Sequence, residues 1–202
     1  WIASINEALN EGRYSFAEAR LEEAETVLPQ DPRLIGLSIR LQNWQRAESL
    51  FETSRGRRLG LVGEEAPLLN SLIASYQNVL RLAPNHQGAV RELNLIGVRF
   101  SILARQAFDS KDLSTTIYYL ERAQSADPSV EALSDVKELL FQTRELKATI
   151  QSILEEAQFY FSLGQLTSPA EENALSLYNQ ALIAEPGNMT AKQQVKAIIQ
   201  ST

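Results

Sequence analysis

The stretch that decides the fold is GQLTSPAEENALSLYNQALIAEPGN, Gly164–Asn188. Its second half predicts a helix over Pro169–Ala184, entered through Pro169. Proline suits a helix's first turn, where its missing amide goes unused. The acidic AEEN (Ala170–Asn173) falls in that first turn, where negative charge suits the helix dipole. Pro186-Gly187 ends the helix. Working outward, the same stop recurs as PQDP (Pro29–Pro32), LAPNHQGA at Pro84 and SADPSVEA at Pro128. Proline lacks an amide donor and restricts the residue before it, so each site breaks a helix.

Between the stops the chain is rich in Ala, Leu, Glu, Gln and Arg, the helix-forming set. Shorter helices are expected over Ile2–Glu11, Ser15–Leu28, Pro67–Leu82 and Leu113–Ala126. Longer periodic segments cover Leu34–Leu61, Gly88–Phe108 and Ser129–Leu163. In Ser15–Leu28, the residues Phe16, Ala17, Leu21, Ala24 and Leu28 follow the three-and-four spacing of one face. Ser15 is expected to cap that helix, with Glu18 as its reciprocal partner. Ser129–Leu163 carries Val136, Leu140, Ile150, Leu154, Ala157 and Phe161 on one face, with a polar gap at Thr143. It reads as one long helix or two bent at the gap. The tail, Thr190–Ile199, is a closing helix with Ala191, Val195, Ile198 and Ile199 inward. The whole is all-α.

Proline spacings are 55 (29 to 84), 44 (84 to 128) and 58 (128 to 186). Taken in alternate steps they become 99 (29 to 128) and 102 (84 to 186). The chain thus looks like a duplicated unit of about 100 residues, over approximately 1–88 and 89–202, within a single repeat domain. Each copy is a plain hairpin followed by a lengthened one. EEAP before Leu68 corresponds to LTSP before Ala170, an insertion between the helices of the lengthened hairpin.

Several positions carry a family resemblance. The first hairpin has Ala8, Gly12, Tyr14, Ala17, Leu21, Ala24 and Pro29. The second has Gly56, Leu59, Gly63, Leu72, Tyr76, Val79, Leu80 and Pro84. The third has Ala104, Ala107, Leu113, Leu120, Ala123 and Pro128. The fourth has Ala157, Tyr160, Gly164, Ala174, Tyr178, Ala181, Leu182 and Pro186. This pattern resembles the tetratricopeptide repeat (TPR), a helical hairpin of about 34 residues. The resemblance implies a right-handed α-α superhelix of about four hairpins plus the closing helix. The insertion-bearing form is similar to repeat regions of membrane-anchored bacterial envelope proteins. That implies a periplasmic or extracytoplasmic domain with an anchor upstream of Trp1; a cytoplasmic location is the alternative.

The resemblance also implies a concave groove for a peptide or partner protein. Its alignment places Asn6, Arg57, Arg105, Phe108 and Gln158 there. A structural spacer or self-assembly domain is the alternative function, and oligomeric state stays open. A net charge of −6 argues against a nucleic-acid partner. The chain has no cysteine, so thiolate metal sites and Cys nucleophiles are excluded. His86, the single histidine, reads as a solvated turn residue. Glu18, Glu22 and Glu25 read as a solvated helix face. Arg55, Arg57 and Arg58 either complement a helix end or grip an acidic group. Trp1, Trp44, Tyr118, Tyr119, Phe159, Tyr160 and Phe161 read as core packing. No acid, base and nucleophile converge, so neither an enzyme nor a cofactor is expected.

Overall fold

The computed structural model describes residues 1–59, 66–126, 133–169 and 172–201. These form nine helices and no strand: α1 (Ile2–Asn10), α2 (Tyr14–Val27), α3 (Pro32–Leu59), α4 (Ala66–Leu82), α5 (Gln87–Asp109), α6 (Leu113–Ala126), α7 (Leu133–Ser162), α8 (Ala174–Ala184) and α9 (Met189–Ser201). Over the described residues the three longer segments are each a single helix, of 28, 23 and 30 residues. Thr143 does not interrupt α7. It is fully buried, and its hydroxyl donates to the Leu139 carbonyl at 2.6 Å, so the polar group is paired within the helix itself. Pro128, Gly63 and the Glu64-Glu65 start of the first insertion lie outside the described residues.

The chain divides into two compact units, Trp1–Ile96 and Gly97–Thr202, with the division inside α5. In the first unit, α1 packs on α2 and α3, and α3 packs on α4. Ala8, Ala17 and Ala24 are buried in the core of this unit. Ile5, Leu21, Leu34, Leu37 and Leu41 fill the space around them. Tyr76, Leu72 and Val79 make α4's buried face. Each such large side chain removed from water contributes about 1.5–3 kcal/mol. Phe16 and Leu28 depart from the expected face, being 39% and 40% exposed. Phe16 is instead covered by the guanidinium groups of Arg13 and Arg20, 5.1 and 5.3 Å from its ring centre. Gly56 meets no neighbouring atom and marks no close approach.

In the second unit, α7 packs on α6 and α8, and α8 on α9. Leu113, Ile150, Ala157, Ala174, Tyr178, Ala181, Ala191 and Ile198 form its core. Ile199 is 64% exposed, contrary to the inward expectation, because Ala191 and Ile198 already occupy the buried face of α9.

Three helices end in one way. Gly12, Lys111 and Gly164 adopt left-handed backbone, at φ of 76°, 56° and 73°. Beyond them the amides of Arg13, Asp112 and Gln165 reach back to the carbonyls of Ala8, Ala107 and Tyr160. This closure satisfies carbonyls left unpaired by the helix end. Three helix starts are also alike. The residue two after each described stop proline, Asp31, His86 and Asn188, donates its amide to Leu28, Ala83 and Glu185 and turns the chain. Its side chain then accepts an amide of the new helix: Arg33, Ala89 and Ala191 in turn. Ser15, expected to cap α2, makes no cap bond; Arg13 precedes that helix and Ser15 lies inside it.

The C-terminal insertion works differently from its sequence expectation. α8 begins at Ala174, not Pro169, because Asn173 caps it. Asn173 is buried. Its amide group donates to the Pro169 carbonyl at 2.7 Å and its oxygen accepts from Ser176 at 2.8 Å. The Ala174 and Leu175 amides donate to the carbonyls of Gln165 and Leu166. The loop therefore pairs the first three amides of the helix it precedes. Asn173→Ala is expected to cost roughly 1–2 kcal/mol, read as a lowered urea midpoint.

Asp31 adds a charge effect to its cap. Side-chain bonds from Arg33 at 2.6 and 2.9 Å, then the Arg33 amide, hold its carboxyl at about 2, below its ordinary range. The unfolded carboxylate titrates in that ordinary range. The resulting stabilisation is complete above it and disappears as pH falls toward about 2. Asp31→Asn keeps an acceptor for the cap and removes this acid dependence. Urea midpoints at successively lower pH should show a shallower loss in the variant.

Candidate functional site

In the first unit, the α1–α2 turn, the middle of α3 and the start of α5 bound a recess of about 500 Å³. Tyr14 and Trp44 stack in its wall, with ring centres 3.6 Å apart and planes 17° off parallel. The Glu11 and Glu48 carboxylates also line it, with Asn85 and His86. A smaller recess of about 170 Å³ shares Tyr14, Trp44 and Asn85 and includes Arg40. The Arg40 guanidinium donates to Asn6 at 2.7 Å and Asn10 at 3.0 Å. Burial raises the Tyr14 phenol above its ordinary value; Arg40 draws it down and Glu48 pushes it up, so both charges act at this hydroxyl.

His86 is not the solvated turn residue expected. It is 8% exposed, against the Phe51 ring at 4.6 Å. Its Nδ1 accepts the Ala89 amide at 3.1 Å, so Nδ1 carries no proton and Nε2 donates to Glu48 at 3.1 Å. The neighbouring Gly88 has no room for a side chain: an added Cβ would lie 2.6 Å from the Phe51 ring. A histidine beside a turn proline gave no sign of this. The neighbour that buries it, Phe51, is thirty-five positions away.

In the second unit, α5, α7 and α8 surround an apolar recess of about 550 Å³. Phe108, Leu113, Leu146 and Ile153 line it, and Ile183, 71% exposed, stands at its edge. Lys111 adds the one ammonium of the lining. Its Nζ donates to the Ile183 carbonyl at 2.8 Å, pairing an oxygen in the last turn of α8. Lys111 holds a left-handed backbone that glycine adopts more readily, while its side chain ties the α5–α6 turn to α8.

The residues expected in a groove are dispersed. Asn6 lies on α1 as the acceptor for Arg40, and Arg57 is exposed near the end of α3. Arg105 and Phe108 lie one turn apart on α5, with Arg105 exposed and Phe108 in the apolar recess. Gln158, on α7, accepts the Tyr178 hydroxyl at 3.1 Å, and burial raises that phenol. No bond among the described residues joins these five. Arg55 pairs with Glu52 at 3.4 Å, and the Arg58 side chain lies outside the described residues. Glu18, Glu22 and Glu25 are exposed, and Glu18 accepts from Gln45. Trp1 and Phe159 are not core but 51% and 59% exposed, and Tyr118 is 38% exposed. Their stripes exceed what the neighbouring helices cover.

Among the described residues no cluster of three His, Asp or Glu side chains is placed to hold a metal ion. No described helix is long and apolar enough to cross a membrane. Comparison with protein-family models, curated proteins and solved structures returns no match for this chain.

The His86 contacts order a variant series. His86→Asn keeps a side chain suited to the cap but loses the Phe51 contact, costing about 1 kcal/mol. His86→Ala loses the cap as well and costs roughly 2–3 kcal/mol. Chemical denaturation should rank wild type above Asn and Asn above Ala.

Proposed function

We propose that the chain is a TPR-like helical repeat domain that binds a peptide segment of a partner protein. The repeat reading is supported by what recurs within the units: buried alanines, left-handed turns after α1, α5 and α7, and caps two residues after the stop prolines. A right-handed superhelix of helical hairpins is the arrangement this reading implies.

The observation that carries the binding reading is the apolar recess of the second unit. Soluble surfaces leave single apolar side chains exposed without consequence, but a concave apolar site with one or two polar groups is the usual form of a binding pocket. Here Phe108, Leu146 and Ile153 offer area to a large apolar side chain, and Asp109 and Lys111 offer polar groups at the same recess. The fitting ligand is a peptide with a Leu, Ile or Phe anchor. Phe108 is the groove residue of the repeat alignment that this site retains. An extracytoplasmic setting accompanies the family reading.

Selection from a displayed library of short peptides tests it. Enriched peptides are expected to carry a large apolar anchor. Ile183→Glu changes an exposed residue and should leave the melting temperature unmoved. It should weaken those peptides by about thirtyfold, the loss typical of one interface anchor. Failure of any apolar-anchored peptide to enrich, or equal binding by Ile183→Glu, overturns the proposal.

A further inference from the structure

The polar recess of the first unit is separate from the apolar one, and its lining has a different chemistry. Its ionised side chains are the carboxylates of Glu11 and Glu48, and no Lys or Arg side chain lines it. Glu11 is paired with Arg13 at 2.6 Å. Glu48 is held by His86 through one oxygen, Oε2, and is 40% exposed. Among the described residues no hydrogen bond reaches its second oxygen. His86 accepts a backbone amide through Nδ1, and the bond to Glu48 uses the neutral imidazole's single proton. The recess therefore holds a carboxylate that its histidine neighbour orients but need not neutralise. The stacked Tyr14 and Trp44 rings complete the wall, and aromatic rings attract cations through their quadrupole.

We propose that this recess binds a guanidinium group. A guanidinium is planar, stacks on aromatic rings and can give parallel N–H bonds to a carboxylate, which a compact ammonium cannot match. At about 500 Å³ the recess has room for an arginine-sized chain. Glu48 accepts the charged head, the stacked Tyr14–Trp44 pair lies beside it as one aromatic wall, and the Asn85 amide lies at the same recess for further polar contacts. The nearby cations are already engaged: Arg40 with Asn6 and Asn10, Arg13 with Glu11. This site stands or falls independently of the peptide site in the second unit.

Agmatine and the capped tripeptide acetyl-Ala-Arg-Ala-amide are the probes, with acetyl-Ala-citrulline-Ala-amide as the neutral isostere. In a Trp1→Phe background the remaining tryptophan, Trp44, reports binding by fluorescence. Saturable changes are expected with a guanidinium probe and not with citrulline. Binding by the capped tripeptide assigns a peptide arginine as the source; binding by agmatine alone assigns a free small molecule. Glu48→Gln keeps an acceptor for His86 and is expected to weaken binding about tenfold, the scale of one charge-assisted hydrogen bond. Amide and indole NMR shifts in unsubstituted protein provide a readout that needs no variant: Trp44, Asn85 and Gln87 should move on adding agmatine. Equal response to citrulline, no loss in a folded Glu48→Gln, or no shift at those three residues overturns the assignment.

Discussion

Every α-helix leaves four amides unpaired at its start and four carbonyls at its end, and this chain has many ends to settle in few residues. Its solution is a short turn that closes one helix and caps the next. At Pro29, Pro84 and Pro186 the residue two places on turns the backbone and offers its side chain to the new helix. At Pro29 and Pro186 the short connection joins helices that pack on each other, α2 with α3 and α8 with α9. Where α7 and α8 are joined by a longer loop, Gln165, Leu166 and Asn173 supply the same pairings from further away.

His86 shows how one such turn becomes part of a site. It occupies a cap position, so its Nδ1 is committed to a backbone amide, and the tautomer follows. Nε2 then faces Glu48, and Phe51 closes over the ring. A device for starting a helix thus orients a carboxylate beside an aromatic pair. Lys111 combines roles similarly. It occupies a turn position held elsewhere by Gly12 and Gly164, and its ammonium pairs the end of α8 beside an apolar recess.

Much of the fold was legible along the chain. Proline stops and three-and-four spacing located the helices to within a few residues, apart from the start of α8. The alanines at the aligned positions are buried. The errors share a cause. For Ser15, Pro169 and His86 the adjacent residues alone point to a different role from the one the fold gives them. Asn173 displaced Pro169 as the helix start through bonds across a folded loop, and His86 was buried by Phe51 from another helix. Phe16, Phe159 and Ile199 lie near apolar stripes but outside the arc that the neighbouring helices cover. The sites were less legible still. Phe108 was assigned to a binding surface by alignment, while Tyr14, Trp44 and Glu48 come together from α2 and α3, thirty or more positions apart.

What the sequence by itself determined is the helical character of the chain, its stops, and the small side chains at which helices could approach. These rest on local physics: backbone propensity, proline's missing donor and the spacing of one helical turn. Tertiary structure alone decided which side of each helix is covered, which turn residues are buried, and where carboxylates, rings and apolar side chains converge. Those outcomes depend on contacts between residues far apart in the chain, and the periodicity of a single helix carries no information about its neighbour.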